Sequence, residues 1–157
     1  MKNIFAIALI FVTAAATADD IDKRQVLHLT ELQRDHVLTE MRALLSGTQK
    51  ILEALHKEDM TAIAAHARSL GMGMAHKGED HLKSVLPREF MQLGMSVHKA
   101  FDEIAADAEA LKDSRHTLRQ LSESMKNCVA CHESYQIHVE KPSATRRTYS
   151  PDHRHHH

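Results

Sequence analysis

Cys128-Val129-Ala130-Cys131-His132 is a C-x-x-C-H run, and any fold open to this chain has to house what that spacing binds. Two thiols so placed can add across the two vinyl groups of a porphyrin, and the next residue presents an imidazole to its iron. This is the attachment pattern of a c-type haem. The chain's only two cysteines both lie in it. A bare C-x-x-C also suits a redox dithiol or half of a zinc site. Zinc would need two further ligands at a second knuckle, and the sequence holds no second C-x-x-C. A dithiol oxidoreductase would place the pair after a strand in a βαβ pattern, and none is visible. One covalent haem c is therefore expected, held through Cys128 and Cys131, with His132 on the iron.

The first eighteen residues fit an export signal. Lys2 is a charged start, Ile4 to Val12 a short apolar run, and Ala16-Thr17-Ala18 an A-x-A cleavage site before Asp19-Asp20. The run is shorter than the roughly 20 residues of a membrane span, and no later segment comes close, so no span is expected in the mature chain. An uncleaved anchor is the competing reading. Covalent haem attachment in bacteria takes place outside the cytoplasmic membrane, so the leader and the motif point to the same compartment, the periplasm.

Cleavage after Ala18 leaves 139 of the 157 residues, enough for one domain with one core. Five glycines, three prolines, no tryptophan and an abundance of Leu, Ala, Met, Glu, Lys and Arg favour helices over a sandwich or barrel. Without Lys2 there remain 19 basic and 21 acidic side chains, a balance that gives no reason to expect nucleic-acid binding.

Four apolar stripes at helical spacing follow. The first helix is expected from about Ile21 to Leu55, with Leu38, Met41, Leu45, Leu52 and Leu55 as a seam that Val37, Leu44 and Ile51 widen into a face. Asp59 is a good N-cap for a second helix, about Met60 to His76, carrying Met60, Ile63, Ala67, Leu70 and Met74. Gly71 and Gly73 weaken its last turns and allow another helix or the haem to approach. Pro87 suits the first position of a third helix with Phe90, Gly94, Val97, Phe101, Ile104, Ala108 and Leu111 on one face. Asp113 or Ser114 caps a fourth, with Leu118, Leu121, Met125, Cys128, His132 and Tyr135 on its core-facing stripe. The expected architecture is all-α, an antiparallel four-helix bundle over residues 19–138 with the haem packed inside near one end. Residues 139–157 lose periodicity and read as a disordered basic tail. It ends His153-Arg154-His155-His156-His157, a cluster that can bind metal or can be a solvated tail or cloning remnant.

A helical domain with C-x-x-C-H late in its last helix resembles the cytochrome c-prime family, the class II c-type cytochromes. The resemblance covers about Ile21 to His138 and rests on Cys128, Cys131 and His132 near the domain's end, whereas ordinary small c-type cytochromes carry the motif near their N-terminus. Tyr135, three residues after the histidine, matches a frequent family feature. The resemblance implies an antiparallel four-helix bundle, often a homodimer, with His132 as proximal ligand. It also implies one of two distal arrangements: a sixth position crowded by an apolar first-helix residue and open only to small gases, or one filled by a first-helix methionine in a low-spin electron carrier. The family commonly has a basic residue directly after the tyrosine; here that position is Gln136.

Two first-helix residues compete for the distal face, Leu38 and Met41, three apart on one stripe. Met41 has a thioether suited to haem iron, and a His/Met pair raises the reduction potential. It is also the only methionine on that helix's seam, although a seam methionine is commonly core filler. Arg34, aligned with a basic residue often found one turn before the distal position in the family, favours Leu38. His28 and His36 lie off the seam, and His66, His76, His81, His98 and His116 show no ligand-like pairing. The leading expectation is an electron carrier with periplasmic redox proteins as partners, not an enzyme. No Ser-His-Asp pattern, phosphate loop or second metal site is visible. The alternative is a five-coordinate gas-binding protein with Leu38 over the iron; a peroxidase-like activity is a remoter third.

Overall fold

The computed structural model describes residues 21–75 and 81–140. They are mostly helical, with four helices of ten residues or more. The order is β1 (Gln25–Leu29), α1 (Glu31–His56), α2 (Met60–Ser69), a single turn α3 (Met72–Ala75), α4 (Arg88–Ala110), α5 (Ser114–Ser134) and β2 (Tyr135–Val139). The expected leader, His76 and the tail from residue 141 lie outside the described residues.

Two strands frame the helices. The first helix begins at Glu31, not near Ile21, because Thr30 and Gln33 form a capping box: the Thr30 hydroxyl accepts from the Gln33 N–H, and the Gln33 side chain accepts from the Thr30 N–H. Residues 25–29 before it are extended, alternate outward and inward, and bury Leu27 and Leu29. The last helix ends at Ser134, and the alternating Tyr135-Gln136-Ile137-His138-Val139 runs parallel to β1, from Gln25 beside Tyr135 to Leu29 beside Val139.

The hairpin connections share one design. Lys57 closes α1, Glu58 takes a left-handed φ of 54° and Asp59 caps α2; Leu111 closes α4, Lys112 takes φ 51° and Asp113 caps α5. Both expected aspartate caps are in place. Pro87 stands one position before α4, as its N-cap.

Helix α1 packs on α2, α2 on α4 and α4 on α5, while α1 and α5 pack only sparsely on each other. The main core joins Ile51, Ile63, Leu70, Phe101, Ile104 and Leu121 with small alanines between them. The row of α1 that enters it is Gly47, Ile51 and Ala54 rather than the expected Leu45 and Leu52; Leu45 is 73 % exposed. Gly47 fixes this choice, because a Cβ there would overlap the Leu70 side chain, so α1 meets α2 closest along the glycine's row. Gly71 likewise lets the chain approach α4: a Cβ would overlap Asp102, whose carboxylate accepts from the Met72 N–H at 2.9 Å and so starts α3. Gly73 and Gly94 make no such approach. A second, smaller core beside the strands holds Leu27, Leu29, Val37 and Leu82, with Met41, Leu86, Phe90, Tyr135 and Ile137 packed against it.

Candidate haem site

Helix α5 carries Cys128, Cys131 and His132 on its last turns. Leu121, higher on the same helix, is buried, but Leu118 and Met125 of the expected core stripe are 53 % and 50 % exposed, and neighbouring Val129 is 53 % exposed. Cys128 and His132 are exposed, and Cys131 is half-buried. The reason lies in the packing order. Helix α5 stands at one end of the helix series and packs mainly on α4, so much of its other apolar row stays exposed. Helix α1 stands at the opposite end and leaves Leu45 and Leu52 uncovered in the same way.

The thiols themselves are protonated groups at neutral pH. Burial pushes both above the ordinary cysteine value, and the neighbouring Cys128 adds to the push on Cys131. The Cys128 thiol donates to the Ser124 carbonyl at 3.9 Å. Redox dithiols are tuned the opposite way, with a lowered pKa at a helix N-terminus; these cysteines sit where the helix dipole disfavours a thiolate. Among the described residues no three His, Cys, Asp or Glu side chains converge as a metal site. Two thiols and an imidazole on the last turns of α5, beside an exposed apolar row that would bury a porphyrin edge, fit haem c.

The C-terminal end of α5 is pinned from outside. Arg24, just before β1, donates to the carbonyls of His132 at 3.2 Å and Tyr135 at 3.3 Å. Its guanidinium also grips Asp22 at 2.6 Å and holds that carboxyl well below the usual carboxylate range. Gln136 donates to the Arg24 carbonyl at 3.0 Å. Position 136 thus lacks a cation, yet an arginine from the N-terminal segment reaches the histidine's own carbonyl. Sequence reading missed Arg24 because the two segments lie more than a hundred residues apart. Tyr135 is half-buried, its ring edge-on to Phe90 with centroids 5.2 Å apart.

The two distal candidates separate. Met41 is half-buried and packs in the small core that also contains Tyr135 and Ile137. Leu38 is half-buried, belongs to neither core, and lies on the uncovered row with Leu45 and Leu52. Among the histidines, His98 departs most from expectation. It is 3 % exposed, with Nδ1 donating to the Leu70 carbonyl at 2.7 Å and Nε2 paired with Glu40 at 3.2 Å. Its place beside Val97 and one turn before Phe101 was the available signal. His116 pairs with Asp107 at 2.9 Å, and His28 stands edge-on to His138 across the sheet.

No helix among the described residues is long and apolar enough to cross a membrane. Comparison with protein-family models, with curated proteins and with solved structures finds no match.

Proposed function

We propose that this chain is an exported c-type cytochrome that carries single electrons, its haem held by Cys128 and Cys131 with His132 on the iron. The observation that carries the reading is the C-x-x-C-H run on the last turns of α5, beside an exposed apolar row. Haem, when bound, supplies a one-electron couple whose potential follows its axial ligands and burial. The chain's part is to fix the imidazole by anchoring the end of α5, through Arg24 on the His132 carbonyl, and to offer apolar surface on Leu118, Met125 and Val129. Met41, as sixth ligand, would fill the iron's remaining position from a packed setting near Tyr135, and a fixed coordination sphere suits fast electron transfer. The short hairpin connections of α1 to α2 and α4 to α5 support an antiparallel bundle as the scaffold. Periplasmic redox proteins would be its partners, and the position of C-x-x-C-H late in the last helix resembles the cytochrome c-prime family.

A second reading has its own observation. Leu38 lies on the uncovered row of α1, so an apolar residue over an open iron, with NO or CO as ligand, is the competing arrangement. The mass of the exported protein should exceed that of the chain from Asp19 by one haem, and acid–acetone should not extract the colour. A protein without that added mass overturns the proposal. The reduced spectrum then chooses between readings: a low-spin form indifferent to CO supports the carrier, and a high-spin form that binds CO supports the gas protein.

A further inference from the structure

A separate cavity of about 70 Å³ lies between the N-terminal halves of α1 and α4. His36 and Glu40 line it from α1, four residues apart on one face; Met91, Met95 and His98 line it from α4 at i, i+4 and i+7. Gly94 also borders it, and a Cβ there would meet nothing within 4 Å, so the wall between the two methionines stays open. Met91 and Met95 are half-buried yet belong to neither hydrophobic core, so they are not filling it. His98 and Glu40 are already committed to each other and to the Leu70 carbonyl. His36 makes no hydrogen bond to a described residue and only stands edge-on to His81, ring centroids 5.1 Å apart.

We propose that this cavity is a monovalent copper site, with the thioethers of Met91 and Met95 and the imidazole of His36 as donors. Softness decides the ion. Thioethers select Cu(I), whereas zinc and harder divalent ions want more nitrogen, thiolate or carboxylate donors than are free here. The absence of any three converging His, Cys, Asp or Glu side chains among the described residues points the same way. The site involves neither cysteine and does not rest on the haem reading.

The test is anaerobic Cu(I) titration of the full chain against the chromogenic chelator bicinchoninate, with Met91→Leu/Met95→Leu beside the wild type. Leucine keeps the bulk and removes the sulfur. The cysteines and the histidine tail are identical in both proteins, so any copper they take cancels. The double variant should hold one equivalent fewer at a chelator concentration where the wild type is loaded, or bind it at least tenfold more weakly. His36→Gln, on the other helix, should weaken the same equivalent. X-ray absorption of the loaded wild type should show sulfur scattering that the double variant loses. Equal stoichiometry and affinity in wild type and both variants would overturn the site, as would a wild type that binds no Cu(I).

Discussion

Met41 and Leu38 differ by three positions and by what surrounds them, and on the proposed reading that difference would decide the distal chemistry. Met41→Leu keeps an apolar side chain in the small core and deletes only the sulfur. If Met41 ligates, the variant should lose the methionine–iron charge-transfer band, fall in potential and gain CO binding; an unchanged spectrum and potential assign Met41 to packing and Leu38 to the distal face. His98 makes a second prediction. Burial pulls its pKa down, but the Glu40 hydrogen bond, the Leu70 carbonyl and the charges of Glu40 and Asp102 outweigh that, and the net shift is upward. His36, on the opposite wall of the cavity, is a further titratable group nearby. A raised folded pKa means that the pair's stabilisation is fully present below the ordinary histidine value of about 6.5 and is lost as pH rises through the folded value. Glu40→Gln should therefore destabilise by about 1.5 kcal/mol at pH 6 and by less at pH 9. Urea melts at the two pH values measure this, and a penalty that grows with pH would refute the ion pair. The C-x-x-C-H run was legible because it is a fixed local spacing of three residues, whatever it binds. His98 was not, because its partners Glu40 and Leu70 come from other helices and no local spacing announces them.

Among the elements, the helix boundaries followed their caps. Asp59 and Asp113 could be read directly, since an aspartate before an apolar stripe has a local task. Thr30 and Gln33 carried the same kind of signal for α1, but the helix expected from about Ile21 ran straight through them. The alternation in 25–29 and 135–139 was too short to compete with helical periodicity until the two segments are seen paired. The apolar face of α1 was broad enough to be read in two rotations, and Gly47, whose bare backbone faces Leu70, selects the one observed. The matching turns yield a further prediction. Glu58 and Lys112 hold left-handed φ values that cost an L-residue about 1 kcal/mol or more. Glu58→Gly and Lys112→Gly should each raise stability by about 0.5–1 kcal/mol, read from denaturant midpoints. A loss of stability in both would mean that these side chains contribute more than their backbones cost.

For the molecule as a whole, a helical domain was legible from composition and four stripes, while the two strands that close it were not. Their pairing joins position 25 to position 135, a separation of about 110 residues. Bringing such distant segments together costs about 4 kcal/mol of loop-closure entropy, which helix-to-helix docking between neighbours in sequence does not face. The sheet is thus expected to form last and open first. Backbone amides of Leu27 and Ile137 should exchange with solvent before those of Ile51 and Ile104; the reverse order would show that the strands lead. Order of assembly then has a biosynthetic meaning. Cys128, Cys131 and His132 lie immediately ahead of the last segment to dock, so on the proposed cytochrome reading they would stay within reach of a haem-attaching enzyme after the helices have begun to associate. Arg24 can take the His132 carbonyl only when the segment that carries β1 arrives, and on that reading its arrival would act as a latch closing after attachment.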